Sequence, residues 1–152
     1  MTLAERVYAE ALRAASPLLF RLARGDGKLA RGIRARRGVP RRMEAWAAAG
    51  RDAGKPLVWF HAPSVGEGRQ ALALLRAFQR RRPDVQTVFT HFSPSAEAFA
   101  RAVPADFADY LPLDVPADVD RALAALRPAV LAFSKADVWP TLTARAVAWD
   151  VR

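Results

Sequence analysis

Cysteine is absent from the 152-residue sequence, and histidine occurs only at His61 and His91. Without cysteine the chain can form no disulfide bond, no thiolate metal site and no cysteine nucleophile, and its composition fits a reducing compartment. Two histidines with no further cluster around them are a poor basis for a metal centre. The sequence therefore excludes disulfide scaffolds and gives no reason to expect a bound metal.

Long apolar runs are also missing. No segment approaches the roughly 20 consecutive apolar residues that a transmembrane helix needs. Charged residues such as Glu5, Arg6 and Glu10 interrupt the N-terminal stretch, which argues against a secretory signal. With 52% hydrophobic residues, the chain is long enough for one well-packed globular domain and hardly for two.

Positive charge is concentrated at the N-terminal end. The net charge is +9, and residues 1–50 contribute +7 of it, from 11 basic and 4 acidic side chains. Residues 51–152 are nearly balanced, with 13 basic and 11 acidic side chains. This asymmetry predicts an anionic partner for residues 1–50, which we call the N-terminal arm.

Residues 3–24 of the arm have the periodicity of an amphipathic helix. One side is apolar and consists of Tyr8, Leu12, Ala15, Leu19 and Leu22. The opposite side is charged and consists of Arg6, Glu10, Arg13, Arg21 and Arg24. Pro17 is expected to kink or split this helix, because proline removes a helical hydrogen bond.

Three interpretations of the arm are open. The helix could pack its apolar side on the rest of the domain, as amphipathic helices commonly do. It could instead lie in a membrane interface, with the basic stretch Lys28–Arg42 facing anionic head groups. The basic stretch could also bind nucleic acid, but no aromatic side chain lies between Arg21 and Arg42 for bases to stack on. We expect an anionic membrane surface, and no nucleic acid, as the partner.

Strand and helix patterns alternate from Pro56 onward. Strands are predicted at about 57–61, 85–91, 107–111 and 129–133. Helices are predicted at about 67–82, 94–103, 116–126 and 140–149. The alternation predicts the α/β class, with a Rossmann-like parallel sheet and helices on both faces, preceded by the amphipathic N-terminal helix. We assign this sheet to residues 51–152, and Asp150–Arg152 have the pattern of a lead into a further strand, as expected for part of a longer protein.

Glu67 follows the first predicted strand at the start of a helix. In parallel sheets ligands bind at the carboxyl ends of the strands, beside helix N-termini, so Glu67 is placed where chemistry commonly occurs. His61, His91 and Ser93 are expected on the same rim, because they close two neighbouring strands. Glu67 could be a general base that takes a proton from a hydroxyl group. Alternatively, it could only stabilise its helix dipole, and each histidine could be purely structural.

Gly66–Ala71 also matches the dinucleotide-binding pattern G-x-G-x-x-A. A glutamate within that loop would repel a pyrophosphate. The second predicted strand ends in Thr90 and His91, where a dinucleotide site would have the acidic residue that binds ribose. A nucleotide-binding module of an oxidoreductase is therefore an alternative interpretation and not the preferred one.

Four short motifs follow one another along the sheet region: His61–Glu67 (H-A-P-S-V-G-E), Thr90–Ser95 (T-H-F-S-P-S), Tyr110–Asp114 (Y-L-P-L-D) and Asp137–Pro140 (D-V-W-P). They resemble motifs of the 3-deoxy-D-manno-octulosonic acid (Kdo) transferases of lipid A and lipopolysaccharide synthesis. The family patterns are H-A-x-S-V-G-E, T-x-x-[ST]-P-[ST], Y-L-P-x-D and E-L-W-P. The chain departs from the family at Ala96, where the family has glycine, and at Lys135 and Asp137, where it often has glutamate.

The resemblance implies the N-terminal half of a GT-B glycosyltransferase, an inverting enzyme that works without a metal or cofactor. This half would bind a lipid A precursor (lipid IVA), while a missing C-terminal half would bind the sugar donor CMP-Kdo, so the chain alone is expected to be inactive. The family's general base carries over to Glu67. The residues expected to bind the acceptor are His61, Ser64, Gly66, His91, Ser93, Lys135 and Asp137. The implied location is the cytoplasmic face of the inner membrane.

Overall fold

Four parallel strands form the centre of the fold in the computed structural model, which describes residues 2–135 and 137–152. The strands are β1 (Leu57–Ala62), β2 (Gln86–His91), β3 (Phe107–Tyr110) and β4 (Val130–Phe133). Their order across the sheet is β3-β2-β1-β4, and every neighbouring pair is parallel. The predicted α/β class with a parallel sheet is confirmed.

Helices lie before the sheet and between its strands. The described residues form α1 (Leu3–Leu22), α2 (Lys28–Arg36), α3 (Val39–Gly50), α4 (Val65–Arg81), α5 (Glu97–Arg101), α6 (Pro116–Leu126) and α7 (Pro140–Ala148). A short 3-10 turn, Pro94–Ala96, precedes α5, so the helix predicted at 94–103 is shorter and begins irregularly. α4 starts two residues before its predicted position, because Ser64 caps it by accepting a hydrogen bond from the Gly66 N–H.

Both faces of the sheet are buried, as parallel sheets require. Side chains alternate along β1, so that Leu57 and Trp59 join one apolar cluster while Val58 and Phe60 join the other. The first cluster is closed by α3, α6 and α7, and the second by α4 and α5. This arrangement confirms the prediction of helices on both faces.

The basic stretch of the arm is folded into α2 and α3, which the sequence analysis did not predict. Val39 and Met43 of α3 are fully buried in the first cluster, and α3 packs against α6. Trp46, also on α3, stacks on Phe107 of β3 with ring centroids 5.3 Å apart. The second half of the arm therefore contributes to the core beneath the sheet.

α1 runs through Pro17 without the predicted split. A proline at this position leaves the carbonyl of Arg13 without its usual helical donor. The hydroxyl of Ser16 donates to that carbonyl at 2.9 Å and so replaces the missing bond. At the other end, Thr2 and Glu5 form a capping box, in which each side chain bonds the backbone N–H of the other residue. Two local hydrogen-bond arrangements therefore support an uninterrupted helix.

α1 has two apolar sides rather than one. Tyr8, Ala9 and Leu12 face the domain, where α1 packs on α2 and α7. A second row, spaced three or four residues apart, is exposed to solvent and has its large side chains at Leu3, Val7, Leu18 and Leu22. No helix among the described residues has the length and apolar character needed to cross a bilayer. The exposed apolar row of α1 is not covered by any other part of the described structure.

Asp114 ties three distant segments together. Its buried carboxylate accepts the backbone N–H groups of Thr141 and Leu142 at 3.0 and 2.8 Å, which caps the start of α7. It also interacts with the hydroxyl of Tyr8 on α1, and burial together with this carboxylate raises the pKa of Tyr8 to about 12. Burial raises the pKa of Asp114 itself, against the effect of these donors. The last residue of the Y-L-P-L-D motif is therefore a structural anchor.

The final residues lie along the free edge of β4. The Arg152 N–H donates to the Ala129 carbonyl at 3.2 Å, and the Leu131 N–H donates to the Arg152 carbonyl at 2.8 Å. These two bonds have the pattern of a parallel pair. Arg152 therefore lies beside β4, on the side of β4 opposite to β1, where a further parallel strand would pair.

The two glycines beside Glu67 are predicted to differ in what they tolerate. A Cβ at Gly68 would lie 2.6 Å from Cε1 of Phe99, whereas a Cβ at Gly66 would lie 3.8 Å from Ser64 Oγ. We expect Gly68→Ala to lower the free energy of unfolding by about 1–3 kcal/mol, because the Phe99 ring must move. Gly66→Ala should leave it unchanged or raise it by up to about 1 kcal/mol, since alanine favours helix. Urea denaturation checks both, and equal effects would contradict the packing argument.

Candidate functional site

The loops after β1, β2 and β4 are joined at the carboxyl edge of the sheet. The Ser93 N–H donates to the Pro63 carbonyl at 2.8 Å, and the Ser134 N–H donates to the His61 carbonyl at 2.8 Å. The register places His61 beside Thr90 on one side and beside Phe133 on the other. Ala136, between Lys135 and Asp137 in the sequence, lies outside the described residues. The edge is therefore held by backbone hydrogen bonds between loops.

Glu67 lies in the first turn of α4, at this edge. Its carboxylate accepts a short hydrogen bond from the Ser64 hydroxyl, and the Lys135 ammonium donates to Oε1 at 3.3 Å. The Ser134 hydroxyl donates to the Glu67 carbonyl at 3.2 Å. The Glu67 side chain is 19% exposed. The structure thus brings Glu67, Ser64 and Lys135 into one group with an opening to solvent.

The surroundings of Glu67 favour its ionised form. Its pKa is lowered, first by the Ser64 hydroxyl, then by its own backbone N–H and by Lys135. A carboxylate that is ionised at neutral pH can accept a proton, although a lower pKa reduces its basicity. The arrangement is suited to a base that receives a proton from a hydroxyl group brought to the opening.

Lys135 adopts a left-handed backbone conformation, with φ of +72°. For a residue other than glycine this conformation costs roughly 1–2 kcal/mol. Glycine would adopt it more easily, but would remove the ammonium group from Glu67. The side chain is 73% exposed, so its charge is screened by water while it remains next to the carboxylate. The strain is located at the residue that contacts the candidate base.

His61 is fully buried beneath the rim. Its Nδ1 lies 3.0 Å from Thr90 Oγ1 and its Nε2 lies 3.3 Å from Asp137 Oδ2. Thr90 Oγ1 accepts a bond from Trp59 Nε1 at 2.8 Å, so its own proton is free to be donated to His61 Nδ1, which leaves Nε2–H to donate to Asp137. Burial lowers the pKa of His61 to about 4, against the effect of Asp137. The His61 ring is neutral at pH 7. Because the ring is buried, it can affect a bound ligand only through Asp137.

Asp137 is the exposed end of this buried chain of hydrogen bonds. Its side chain is 35% exposed, and the same oxygen that contacts His61 also accepts a bond from Trp139 Nε1 at 3.3 Å. The Trp139 ring in turn stacks on Phe92, with centroids 5.0 Å apart. Asp137 is therefore fixed in orientation by two N–H donors and points a carboxylate toward the rim.

His91 and Ser93 lie farther along the edge, toward β3. His91 is buried, its Nδ1–H donates to the Ser93 carbonyl at 3.1 Å, and its ring packs on Tyr110 with centroids 4.0 Å apart. Burial lowers its pKa. Ser93 caps the 3-10 turn, with its hydroxyl 2.8 Å from that of Ser95. Gly66, another predicted site residue, is exposed, and its N–H donates to Ser64 Oγ at 3.2 Å.

Arg36 is a central residue that the sequence analysis did not single out. It is almost fully buried, donates to the carbonyls of Gly32 and Phe92 at 2.7 and 2.8 Å, and stacks 3.9 Å above the Phe92 ring. Burial lowers its pKa to about 10, so it stays charged at pH 7. Arg36 fastens α2 to the loop after β2. The one sequence signal was Gly32, four residues earlier on the same helix face, whose missing side chain leaves room for the guanidinium.

Metal binding finds no support in the described geometry, since no group of three or more histidine and carboxylate side chains in residues 2–135 and 137–152 is arranged to hold an ion. The chemistry available at the edge is that of a carboxylate base, its donors and a nearby cation. The four motifs quoted from the sequence all contribute to this edge or to the loops that support it.

The family is decided by a comparison with protein-family models. The model described as 3-deoxy-D-manno-octulosonic-acid transferase (kdotransferase) matches residues 31–152, which is most of the chain. The chain belongs to this family. The match begins within α2 and so includes most of α2, all of α3 and the whole sheet.

Known Kdo transferases are similar to part of the chain. The 3-deoxy-D-manno-octulosonic acid transferase of Haemophilus influenzae is 33% identical over 87 residues, which cover 56% of this chain and 20% of that protein. The probable mitochondrial 3-deoxy-D-manno-octulosonic acid transferase of Arabidopsis thaliana is 32% identical over 88 residues, 57% of this chain and 20% of the relative. The Chlamydophila psittaci transferase is 33% identical over 87 residues, with shares of 55% and 20%. The matched segment thus spans about a fifth of each relative.

The resemblance seen in the sequence is therefore confirmed at the level of the Kdo transferase family. Family membership supports a glycosyltransferase assignment. Residues from motifs that are far apart in sequence, such as His61 and Asp137, are in contact at the carboxyl edge.

The buried His61 predicts a defined acid sensitivity. Its pKa lies at about 4 in the folded chain and near 6.5 when exposed, so between these values the unfolded chain binds the extra proton. The free energy of unfolding should therefore fall as pH decreases from about 6.5 to 4, by up to about 3 kcal/mol from this group. Urea titrations at several pH values would show a shallower pH dependence for His61→Gln. Parallel curves for the two proteins would contradict the assignment.

Proposed function

We propose that this chain is the acceptor-binding domain of a glycosyltransferase that moves Kdo from CMP-Kdo to a lipid A precursor, lipid IVA. The observation that carries the proposal is the ionised Glu67, held at the carboxyl edge by Ser64 and Lys135, in a chain of the Kdo transferase family. Parallel sheets place ligands at this edge. The acceptor hydroxyl would lie against the exposed side of the Glu67 carboxylate.

In the proposed reaction Glu67 acts as the general base. The acceptor oxygen forms a bond to the anomeric carbon of Kdo, its proton passes to a carboxylate oxygen of Glu67, and the bond from that carbon to the CMP phosphate breaks. CMP leaves with the electron pair. Attack from the side opposite the phosphate inverts the configuration. Ser64 and Lys135 keep Glu67 ionised before the transfer, which a base requires.

The other predicted site residues would bind the acceptor from two sides. Asp137, oriented by His61 and Trp139, presents a carboxylate that can accept bonds from sugar hydroxyls. Ser93 offers a hydroxyl on the β2 side, and His91 supports its loop from below. The order of these groups along the edge favours a ligand that extends from β4 toward β3.

The sugar donor would be bound by a second domain. The matched segment covers only about a fifth of each known relative, which supports a proposal that donor binding and turnover need residues outside this chain. We propose that the complete enzyme has the two-domain GT-B architecture and that this chain alone is inactive.

The membrane is the proposed location of the acceptor, and α1 is the proposed contact with it. The exposed apolar row with Leu3, Val7, Leu18 and Leu22 has Arg6, Arg13 and Arg21 on one side, where Arg13 also pairs with Glu10. An apolar strip flanked by basic residues is the pattern of a helix lying in an anionic interface. The side of α1 that packs on the domain is not the side with the exposed apolar row. α1 can therefore pack on the domain and contact the membrane at the same time. We propose peripheral attachment to the cytoplasmic face of the inner membrane.

Substitution of Glu67 tests the catalytic proposal. In a protein that joins this chain to a CMP-Kdo-binding half, Glu67→Gln should lower turnover by roughly 10²–10⁴, the usual range for general-base catalysis. Acceptor binding and melting temperature should change little, because the side chain keeps its size. Glu44→Gln is the matched control, since Glu44 is a glutamate ion-paired to Arg121 on α6, away from the edge. Near-normal turnover by Glu67→Gln would reject the assignment.

Vesicle binding tests the membrane proposal. Leu18→Ser combined with Leu22→Ser should weaken binding to anionic vesicles by roughly ten-fold or more, since each leucine contributes on the order of 1 kcal/mol of apolar burial. Leu74→Ser is the control, because this exposed leucine lies on α4. Binding should also weaken with salt and be lower on neutral vesicles. Equal losses in the two variants would exclude α1 as the contact.

A further inference from the structure

A cavity lies beside the candidate site, and its lining includes His91 but not Glu67, Ser64 or Lys135. It has a volume of about 500 Å³ and is formed between α2, α5 and β3. Four arginines line it, and His91 and Tyr110 line its inner side. We call it the arginine cavity and define its rim by Arg34, Arg37, Arg42 and Arg101.

Two of the four arginines are already neutralised. Arg42 makes a bidentate pair with Asp109, at 2.6 and 2.9 Å, and Arg101 pairs with Glu97. Asp109 and Glu97 are the acidic residues in the lining. In the part of the chain that the structure describes, no carboxylate pairs with Arg34 or with Arg37. The cavity therefore keeps an excess of two positive charges.

Arg34 and Arg37 are held in place by neutral groups. The Arg34 Nη1 donates to the carbonyls of Ala23 and Gly25, at 3.0 and 2.6 Å, at the C-terminal end of α1. The Arg37 guanidinium lies 5.3 Å from the centre of the Phe20 ring. Neither contact removes the positive charge, and both reduce the conformational freedom that a ligand would otherwise have to restrict. The arrangement is preorganised for an anion.

A third positive charge lies behind the inner side of the cavity. The buried Arg36 is 5.4 Å from the Tyr110 ring centre and has no carboxylate partner among the described residues. Its field adds to that of the rim in a region partly removed from water, where charges interact more strongly. Tyr110 donates its hydroxyl to Glu97 at 3.2 Å, so the inner side is also polar.

We propose that the arginine cavity binds a phosphate monoester. Two preorganised guanidinium groups match the two negative charges and three terminal oxygens of such a group. The volume of about 500 Å³ suits a small phosphate-bearing molecule better than a nucleic-acid backbone. The phosphate could belong to a soluble sugar phosphate or to a lipid headgroup, and the experiment below distinguishes these sources. The proposal concerns phosphate binding alone. It can therefore be wrong while Glu67 is the general base, and it can be right if Glu67 is not the general base.

Titration with glycerol 3-phosphate, followed by backbone amide nuclear magnetic resonance, tests the site directly. We expect saturable shifts that include Arg37, Arg101 and Tyr110. Affinity should be at least ten-fold lower in Arg34→Gln/Arg37→Gln and within two-fold of wild type in Arg76→Gln/Arg80→Gln, which removes the same charge from α4. Because Arg34 also supports the end of α1, Arg37→Gln alone is the second variant and should show a partial loss. Equal weakening by both double variants, or shifts that do not saturate, would overturn the proposal.

Two vesicle types identify the source of the phosphate. Phosphatidate carries a phosphate monoester, whereas phosphatidylglycerol carries only a diester, and both are anionic. Stronger binding to phosphatidate that disappears in Arg34→Gln/Arg37→Gln would assign a lipid headgroup. A response to glycerol 3-phosphate without this preference would assign a soluble phosphate. If neither ligand depends on Arg34 and Arg37, the cavity is not a phosphate site.

Discussion

The requirement that a parallel sheet be covered on both faces organises this protein. β1 and β2 are buried along their whole length, so the face of Leu57 and Trp59 needs helices beyond those that connect the strands. α3 supplies part of that cover through Val39 and Met43, and α2 is drawn against the carboxyl edge with it. The basic arm is therefore part of the sheet domain in its second half, and its arginines reach positions where they can meet a ligand.

Covering the sheet in this way also fixes the loops at its carboxyl edge. Arg36 fastens α2 to the loop after β2, and the buried bonds from Trp59 through Thr90 and His61 fix Asp137 in the loop after β4. Each of these polar groups is paired, as burial demands. A site built on such supports has little freedom to move, which favours the accurate placement that proton transfer needs. The buried polar network is thus part of how the fold positions its candidate chemistry.

The sequence was sufficient for the sheet and for the place of Glu67. Alternating strand and helix patterns predicted all four strands within about two residues, because short strand-forming segments alternate with longer segments of helical periodicity. α2 and α3 were not predicted, since seven basic side chains between Lys28 and Arg42 obscure the few buried positions. Arg36 was missed for a related reason: charged residues are rarely buried, and pattern alone does not mark the exception. The strained backbone of Lys135 depends on the loop geometry that the other strands impose, and no local pattern encodes it.

In the proposed role of Glu67 as a general base, its contacts resolve a conflict that every such residue faces. The residue must be ionised beforehand, which favours nearby donors, yet it must hold a proton during the reaction, which the same donors oppose. Here one donor is Ser64, whose hydroxyl can rotate and accept a bond instead, and the other is Lys135, whose exposed ammonium can turn to water. Neither has to remain a donor once the proton arrives. A buried arginine in place of Lys135 would keep the carboxylate ionised more firmly and would make it a poorer base.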